Sequence, residues 1–307
     1  MKEEMQHKLN EFKIKKKLIN PDWFERFFNM LEQVGIDEEL ILKTMDMAFC
    51  EEFLSKYLAS GKNIFNNCEA SQETRDEFFK YMSDMAKKIG PEKFKEFLKN
   101  SIIEIQKDYK RYKEEKHSAK TNFVNLFIRR LVIQNPKDVK LEITGAKVED
   151  INEGNSGRIA IEIAGIEIGH LLYEGEKYNI PTITFTDFRT IPGLERLGLG
   201  SFMFTTFCRD VSEKRPECSV MAFNVAKDRD GEKTYSSWGA YPIVITKKDE
   251  IGKEIEIRPM TEKEHVGNGH IFYFSPETIK KCAQKEIKKY SQQDPLSDDM
   301  SQHLEQE

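Results

Sequence analysis

The sequence has no long apolar run, no excess of positive charge and few cysteines. None of its 307 residues falls in a stretch of roughly 18 consecutive apolar residues, so we predict no membrane span. A formal net charge of −5 gives no electrostatic basis for general nucleic-acid binding. The beginning, Met1 to Glu4, lacks the apolar core of a secretion signal, so we expect a cytoplasmic protein.

The number and spacing of the cysteines are also typical of a cytoplasmic protein. They are odd in number, scattered and without C-x-x-C spacing, which is typical of reduced thiols: Cys50, Cys68, Cys208, Cys218 and Cys282. His265 and His270 lie near Gly267 and Gly269, but no further ligands of a zinc site accompany them. We therefore expect no metal.

Glycine is scarce before residue 137, where only three of the 17 glycines stand. Glycine is costly inside helices and marks turns, so this part is predicted to be helical. Caps, prolines and apolar spacing place helices from Asn20-Pro21 to Gly35, over 37–59, from Ser71 to Gly90, from Pro91 through Ile105, and from Ser118 to Pro136. We predict a helical bundle domain over 1–136, with the Phe and Met stripes as its core rather than as a ligand groove.

After Pro136 the apolar period changes to two, as in half-buried strands. Strands are predicted at 139–143, 158–163, 166–173, 182–189, 219–225, 242–246 and 270–274, with helices after 200, near 235 and over 277–290. The fold class is α+β, with an all-helical N-terminal domain and a mixed, mainly antiparallel sheet flanked by helices over 137–290. The polar tail, 291–307, is predicted to be disordered.

The most informative motif is Leu197-Gly198-Leu199-Gly200-Ser201, between a β-branched segment and an apolar helical one. A helix start offers unpaired N–H groups and a positive dipole end, which suit a phosphate or pyrophosphate. A Walker loop would need lysine after Gly200, where Ser201 stands. A G-x-G-x-x-G fingerprint would need Gly or Ala at 203, which is Met203.

A third type of glycine loop fits better. Residues 195–200, Glu-Arg-Leu-Gly-Leu-Gly, resemble the R/Q-x-x-G-x-G/A loop of GNAT-type N-acetyltransferases, with Glu195 departing from the pattern. Tyr235 and Gly239 have the spacing of the family's later Y-x-x-x-G-F motif, although Ala240 replaces its aromatic residue. Asn224 stands where the family often has an Asn that touches the pantetheine arm, with several extra residues following it, at 227–232.

The resemblance, over about residues 137–275, implies a GNAT-like acetyltransferase domain that uses acetyl-CoA. The family usually has two helices between its first and second strands, and only about a dozen residues, Val148 to Arg158, are available here. Those helices often help to form the acceptor pocket. We therefore expect the N-terminal helical domain to supply that wall.

The resemblance also implies roles for individual residues. Main-chain groups of Arg196, Leu197, Gly198, Leu199, Gly200 and Ser201 would bind the pyrophosphate, and those of Phe188, Arg189 and Thr190 would align the pantetheine, with Asn224. Tyr235 would be the general acid to the thiolate. Asp187 is a candidate base, since burial there would raise its pKa. Glu162, Glu167, Glu174 and a water relay are alternatives, and Asp187 could instead pair with Arg189.

The implied function is direct transfer of an acetyl group to a primary amine of an unidentified acceptor, a small molecule or a protein. One alternative is an inactive module that keeps the CoA cleft or binds a protein partner. Another is transfer of a longer acyl or an aminoacyl group. The sequence leaves the oligomeric state, including a homodimer, open.

Overall fold

The computed structural model describes residues 3–4, 6–8, 10, 21–49, 72–115, 123–175, 180–191, 193–194, 196–224, 229–248, 255–261, 270–285 and 290. The chain divides into two compact units. The helical unit comprises Met1–Asp138 with the short segments Ile163–Ile166 and Ile191–Leu197, and the sheet unit comprises Val139–Glu162, Glu167–Thr190 and Gly198–Glu307. The domain limits expected from the sequence, 1–136, 137–290 and 291–307, stay predictions, and the tail lies outside the described residues.

The described part of the helical unit contains α1 (Pro21–Gln33), α2 (Glu38–Phe49), α3 (Gln72–Ile89), α4 (Pro91–Glu115) and α5 (Phe123–Gln134). These helices confirm the helical reading of the glycine-poor part. α4 continues beyond Ile105 through the lysine- and glutamate-rich stretch, where Lys107 pairs with Glu104 at 2.6 Å. The expected caps Asn20, Ser71 and Ser118 lie outside the described residues.

The aromatic stripes form the core of the helical unit, as expected. The rings of Phe27 and Phe127 meet edge to face at 5.1 Å between centroids, and Phe78 packs on Phe127 at 6.3 Å. Each of the three side chains is at most 1% exposed. Burial of these rings therefore holds α1, α3 and α5 together.

The sheet unit has strands β1 (Lys140–Gly145), β2 (Ser156–Ile163), β3 (Ile166–Gly175), β4 (Thr182–Thr190), β5 (Ser219–Asn224), β6 (Tyr241–Lys247), β7 (Ile255–Pro259) and β8 (His270–Phe274). Its helices are α6 (Leu199–Lys214), α7 (Arg229–Ser237) and α8 (Pro276–Ala283). The sequence reading missed β7, and it extended the last helix to Tyr290, whereas α8 ends at Ala283.

The strands form one sheet in the order β1-β2-β3-β4-β5-β8-β6-β7. β4 and β5 pair in parallel across the α6 crossover, whereas the pairs β1–β2, β3–β4, β5–β8, β6–β7 and β6–β8 are antiparallel. A mixed, mainly antiparallel sheet with flanking helices confirms the predicted α+β class. Between β1 and β2 the chain makes only a three-residue 3-10 turn, Val148–Asp150, in the place of the family's two helices.

None of the helices in the described ranges is both long and apolar enough to span a membrane.

Replacing Phe127 tests the aromatic core of the helical unit. Phe127→Ala removes a fully buried ring that contacts Phe27 and Phe78, so the free energy of unfolding should fall by about 3–5 kcal/mol. Urea unfolding followed by circular dichroism measures the loss. Ile133→Ala on the same helix is the control, because Ile133 is 37% exposed. Equal stability of the two variants would contradict this account of the core.

Candidate functional site

The glycine motif forms the start of α6. Gly198 is the N-cap with φ +88°, a left-handed conformation that favours glycine, and no side chain caps the helix there. The Phe202 N–H donates to the Gly198 carbonyl at 3.0 Å, which begins the helical ladder. The first-turn N–H groups of Leu199, Gly200 and Ser201 precede that ladder and point along the helix axis, as an anion site requires.

The residues before Gly198 are held in an unusual conformation. Arg196 has φ +63°, which is rare for a residue other than glycine, and its side chain is exposed, while Leu197 is buried. Within the helical unit, Arg129 of α5 donates to the Gly193 carbonyl at 2.9 Å and thereby anchors this segment. Glu195, where the motif departs from the family pattern, lies outside the described residues.

A β-bulge at Thr186 lies where the pairing of β4 with β5 ends. In the β3–β4 register Tyr173 faces Phe185 and Leu172 faces Asp187, so Thr186 is the extra residue. The parallel β4–β5 register ends at Phe185 opposite Ala222, although β4 runs on to Thr190 and β5 to Asn224. Among the described strands, residues 187–190 pair with β3 alone. The opposite edge of residues 187–190 is therefore not paired with β5, and we call the space along this edge the gap between β4 and β5.

An aromatic layer supports this gap from the side of α6 and α7. The Trp238 ring stacks on Phe204 of α6 at 4.2 Å and contacts Phe188 of β4 at 5.8 Å between centroids. Gly200 lies directly against this layer, because a Cβ there would be 3.3 Å from Cζ of Phe188. The start of α6 and the end of β4 are thus brought together, as the sequence reading required.

Tyr235 belongs to the same layer. Its ring contacts Trp238 at 6.1 Å and Phe272 of β8 at 5.5 Å, and the residue is 7% exposed. The Tyr235–Gly239 spacing also has a local cause. The Ala240 N–H donates to the Tyr235 carbonyl at 3.1 Å, and Gly239 has φ +95°, which is a Schellman ending of α7.

On the opposite side of β4, charged groups form a continuous chain, which we name the charge cluster. Arg158 donates to Glu167, whose other oxygen lies 2.7 Å from Nδ1 of His170. Nε2 of His170 is 3.2 Å from Oδ2 of Asp187. Nε of Arg189 donates to both oxygens of Asp187, at 3.0 and 2.8 Å. The chain thus links β2, β3 and β4.

The charge cluster changes the acid–base properties of its members. The hydrogen bond to Glu167 raises the pKa of His170, and the one to Asp187 adds to the shift. Burial raises the pKa of Asp187, but hydrogen bonds from Arg189 and His170 outweigh it and lower the pKa. The pKa of Glu167 is lowered in the same way, against burial, by His170 and Arg158.

The expectation of a raised pKa for Asp187 was therefore wrong. Its side chain is only partly buried and carries charge-assisted hydrogen bonds from two cations, which favour the ionised form. The alternative pairing of Asp187 with Arg189 is the arrangement present. Of the other carboxylates considered, Glu162 lies opposite Lys140 and Glu174 opposite Thr184, at other positions of the sheet.

Two functional candidates were not found from the sequence. His170 lies opposite Arg189 in the β3–β4 register and so reaches Asp187, which depends on the position of the bulge. No sequence pattern indicated a role for Trp238, which is one of two tryptophans in the chain. Asn224 ends β5 opposite His270, and its side chain lies outside what the structure describes.

The described residues contain no group of three or more side chains suited to hold a metal ion. His270 lies in β8, and His265 is outside the described ranges.

Comparison with solved structures matches part of this chain to acetyltransferases. Arabidopsis thaliana Naa50 in complex with the bisubstrate analogue CoA-Ac-MVNAL is 13% identical, with 38% of this chain and 72% of that chain covered and a TM-score of 0.29. Arabidopsis thaliana NAA60 in complex with a bisubstrate analogue is 10% identical (41% and 79% covered, TM-score 0.28). A chimera of spermidine N-acetyltransferase SpeG from Vibrio cholerae and hSSAT is 10% identical (52% and 79% covered, TM-score 0.31).

These structures are GNAT acetyltransferases, the family that the glycine loop resembles. No protein-family model matches the sequence, and no curated protein matches it.

Replacing Gly198 tests the conformation of the helix start. Gly198→Ala should lower the free energy of unfolding by about 1–2 kcal/mol, because alanine is strained at positive φ. Steric contact is not the cause, since the nearest atom to an added Cβ is Cε2 of Tyr290 at 3.8 Å. Gly198→Asn is the matched control, because asparagine tolerates this conformation better. Urea unfolding compares the two, and an alanine variant as stable as the asparagine variant would contradict the assignment.

Proposed function

We propose that the sheet unit is a GNAT-type N-acetyltransferase that moves the acetyl group of acetyl-CoA directly to a primary amine. The end of the β4–β5 pairing at Phe185, in the strand whose last residues lie against the start of α6, is the observation that carries this proposal. It leaves main-chain groups along one edge of β4 available to an extended ligand. A pantetheine arm has amide groups that suit such an edge.

The start of α6 suits the other end of the cofactor. N–H groups of the first turn and the helix dipole favour a pyrophosphate, and Gly198 and Gly200 leave the main chain accessible. Arg196 adds an exposed positive charge next to this loop. In this proposal, residues 196–201 bind the pyrophosphate, and residues 188–190 with Asn224 align the pantetheine.

Acetyl transfer then requires stabilisation of an oxyanion and two proton transfers. A main-chain N–H at the end of β4 would polarise the thioester carbonyl. Tyr235 would protonate the leaving thiolate, because a phenol with an ordinary pKa near 10 is protonated at neutral pH. The amine has to lose a proton. Asp187 is a weak base in its present pairing, which favours water as the immediate acceptor.

Release of free thiol from acetyl-CoA tests the reaction, measured with the full chain across small amines, peptides and aminoacyl-tRNA. Calorimetry with acetyl-CoA measures binding separately. Turnover with an amine supports the enzyme. Tight binding without turnover for any acceptor would favour the inactive CoA-binding module, and absence of binding would reject the proposed site. We also propose that the helical unit takes part in recognition of the acceptor.

Removing the hydroxyl of Tyr235 tests the general acid. Tyr235→Phe keeps the ring that packs on Trp238 and Phe272, so the fold should persist while kcat falls by roughly 10²–10⁴-fold. Tyr241→Phe is the control, since Tyr241 is 38% exposed on β6. Steady-state kinetics on both variants measures the effect. An unchanged kcat in Tyr235→Phe would exclude Tyr235 from the mechanism.

A further inference from the structure

Among the described strands, the end of β4 is paired on one edge only, with β3. Beyond the bulge, residues 187–190 lie opposite Leu172, Leu171, His170 and Gly169 of β3, and the pairing with β5 has ended. A strand paired on one edge is less constrained than a central strand. If this segment binds the pantetheine arm, contacts within the protein have to fix its position before the ligand binds.

Side-chain contacts fix it from both faces. On one face, Phe188 packs against Trp238 and Phe185, with ring centroids 5.8 and 6.3 Å apart. On the other face, Asp187 is held by His170 and Arg189. The aromatic contacts are apolar, whereas the contacts on the polar side depend on charge.

We propose that His170, as an imidazolium that bridges Glu167 and Asp187, is a positioning residue that holds the free edge of β4 for acetyl-CoA. This inference rests on the proposed function, and it adds a residue that neither the family motifs nor the glycine loop includes. His170 does not contact the reacting atoms in this proposal. It acts through Asp187 on the main chain of Phe188 to Thr190.

The geometry requires the protonated ring. Nδ1 of His170 is 2.7 Å from Glu167 and Nε2 is 3.2 Å from Asp187, so both ring nitrogens face carboxylate oxygens. Only the imidazolium can donate at both positions, because a neutral imidazole has a single N–H. The other charged groups of the cluster are the guanidinium groups of Arg158 on β2 and Arg189 on β4, which keep the carboxylates ionised.

The bridge through His170 weakens as the pH rises. The folded-state pKa of His170 is raised, so the bridge is complete below the ordinary histidine pKa and is lost as the pH rises through the raised value. The carboxylates stay ionised over that range. Alkaline pH should therefore loosen the end of β4 and weaken binding of acetyl-CoA.

The experiment is calorimetric titration of the full chain with acetyl-CoA from about pH 7 to about pH 9, where the phosphates of the ligand are already ionised. The Kd of the unmodified protein should rise by about tenfold across this range, the change expected from losing one charge-assisted hydrogen bond. His170→Gln should bind about tenfold more weakly at pH 7 and show no pH-dependent step. His170→Lys keeps a positive charge, so it should bind more tightly than His170→Gln throughout and also show no step.

His7→Gln is the control for loss of a histidine, because His7 is exposed in the helical unit and should retain the pH-dependent step. Thermal unfolding at pH 7 checks that each variant is folded. The positioning role would be overturned if the His170→Gln variant retained the pH-dependent change in Kd. It would also be overturned if this variant bound acetyl-CoA as tightly as the unmodified protein. A Kd of the unmodified protein that does not change with pH would also overturn it.

The two proposals fail in different ways. Absence of acetyl-CoA binding by the unmodified protein at every pH would refute the proposed function itself. If acetyl-CoA binds and its Kd is the same in the His170 variants, the proposed function is retained and only the positioning role is excluded. A purely structural role of His170 would lower the unfolding temperature of the variants without changing the pH dependence of Kd.

Discussion

A single extra residue in β4, Thr186, comes directly after the last pair of the parallel β4–β5 register, Phe185 and Ala222. Two parallel strands would normally continue to pair and leave no room for a ligand between them. The bulge changes which edge of β4 is occupied, and it also changes the faces on which Asp187 and Phe188 lie. Phe188 then packs with Trp238, and Asp187 meets His170. The gap, the aromatic layer and the charge cluster all depend on this one insertion.

The aromatic layer holds the end of β4 against α6 and against the segment that follows α7. The rings of Phe204 and Trp238 lie 4.2 Å apart and nearly parallel, and Phe204 also contacts Phe185 and Phe274. Buried aromatic contacts of this kind contribute about 0.5–1.5 kcal/mol each beyond the burial of their area. They join α6, α7, β4 and β8 into one rigid support. A preorganised support lowers the ordering cost that a flexible ligand such as acetyl-CoA would otherwise have to offset.

Sequence reasoning found the elements that depend on local patterns. The spacing of Ile159, Ile161 and Ile163 at every second residue predicted β2, and the scarcity of glycine predicted the helices of the first part of the chain. It missed β7, whose residues Ile255–Pro259 pair with β6 alone among the described strands and follow a stretch whose charged sequence is typical of a loop. It missed His170 for a different reason. The partner of His170 depends on a cross-strand register, and a bulge shifts that register by one residue without an unambiguous local signal.

The Tyr235–Gly239 spacing has two physical explanations that are compatible. The Schellman ending favours glycine at 239 and apolar residues at 235 and 240, and both of these positions are buried. This local constraint accounts for the spacing and for the ring, but it does not account for the hydroxyl. A phenylalanine would satisfy the same packing among Trp238, Phe272 and Phe274. The hydroxyl is therefore the only part of this motif that can carry evidence for catalysis, and the ring belongs to the support of the cleft.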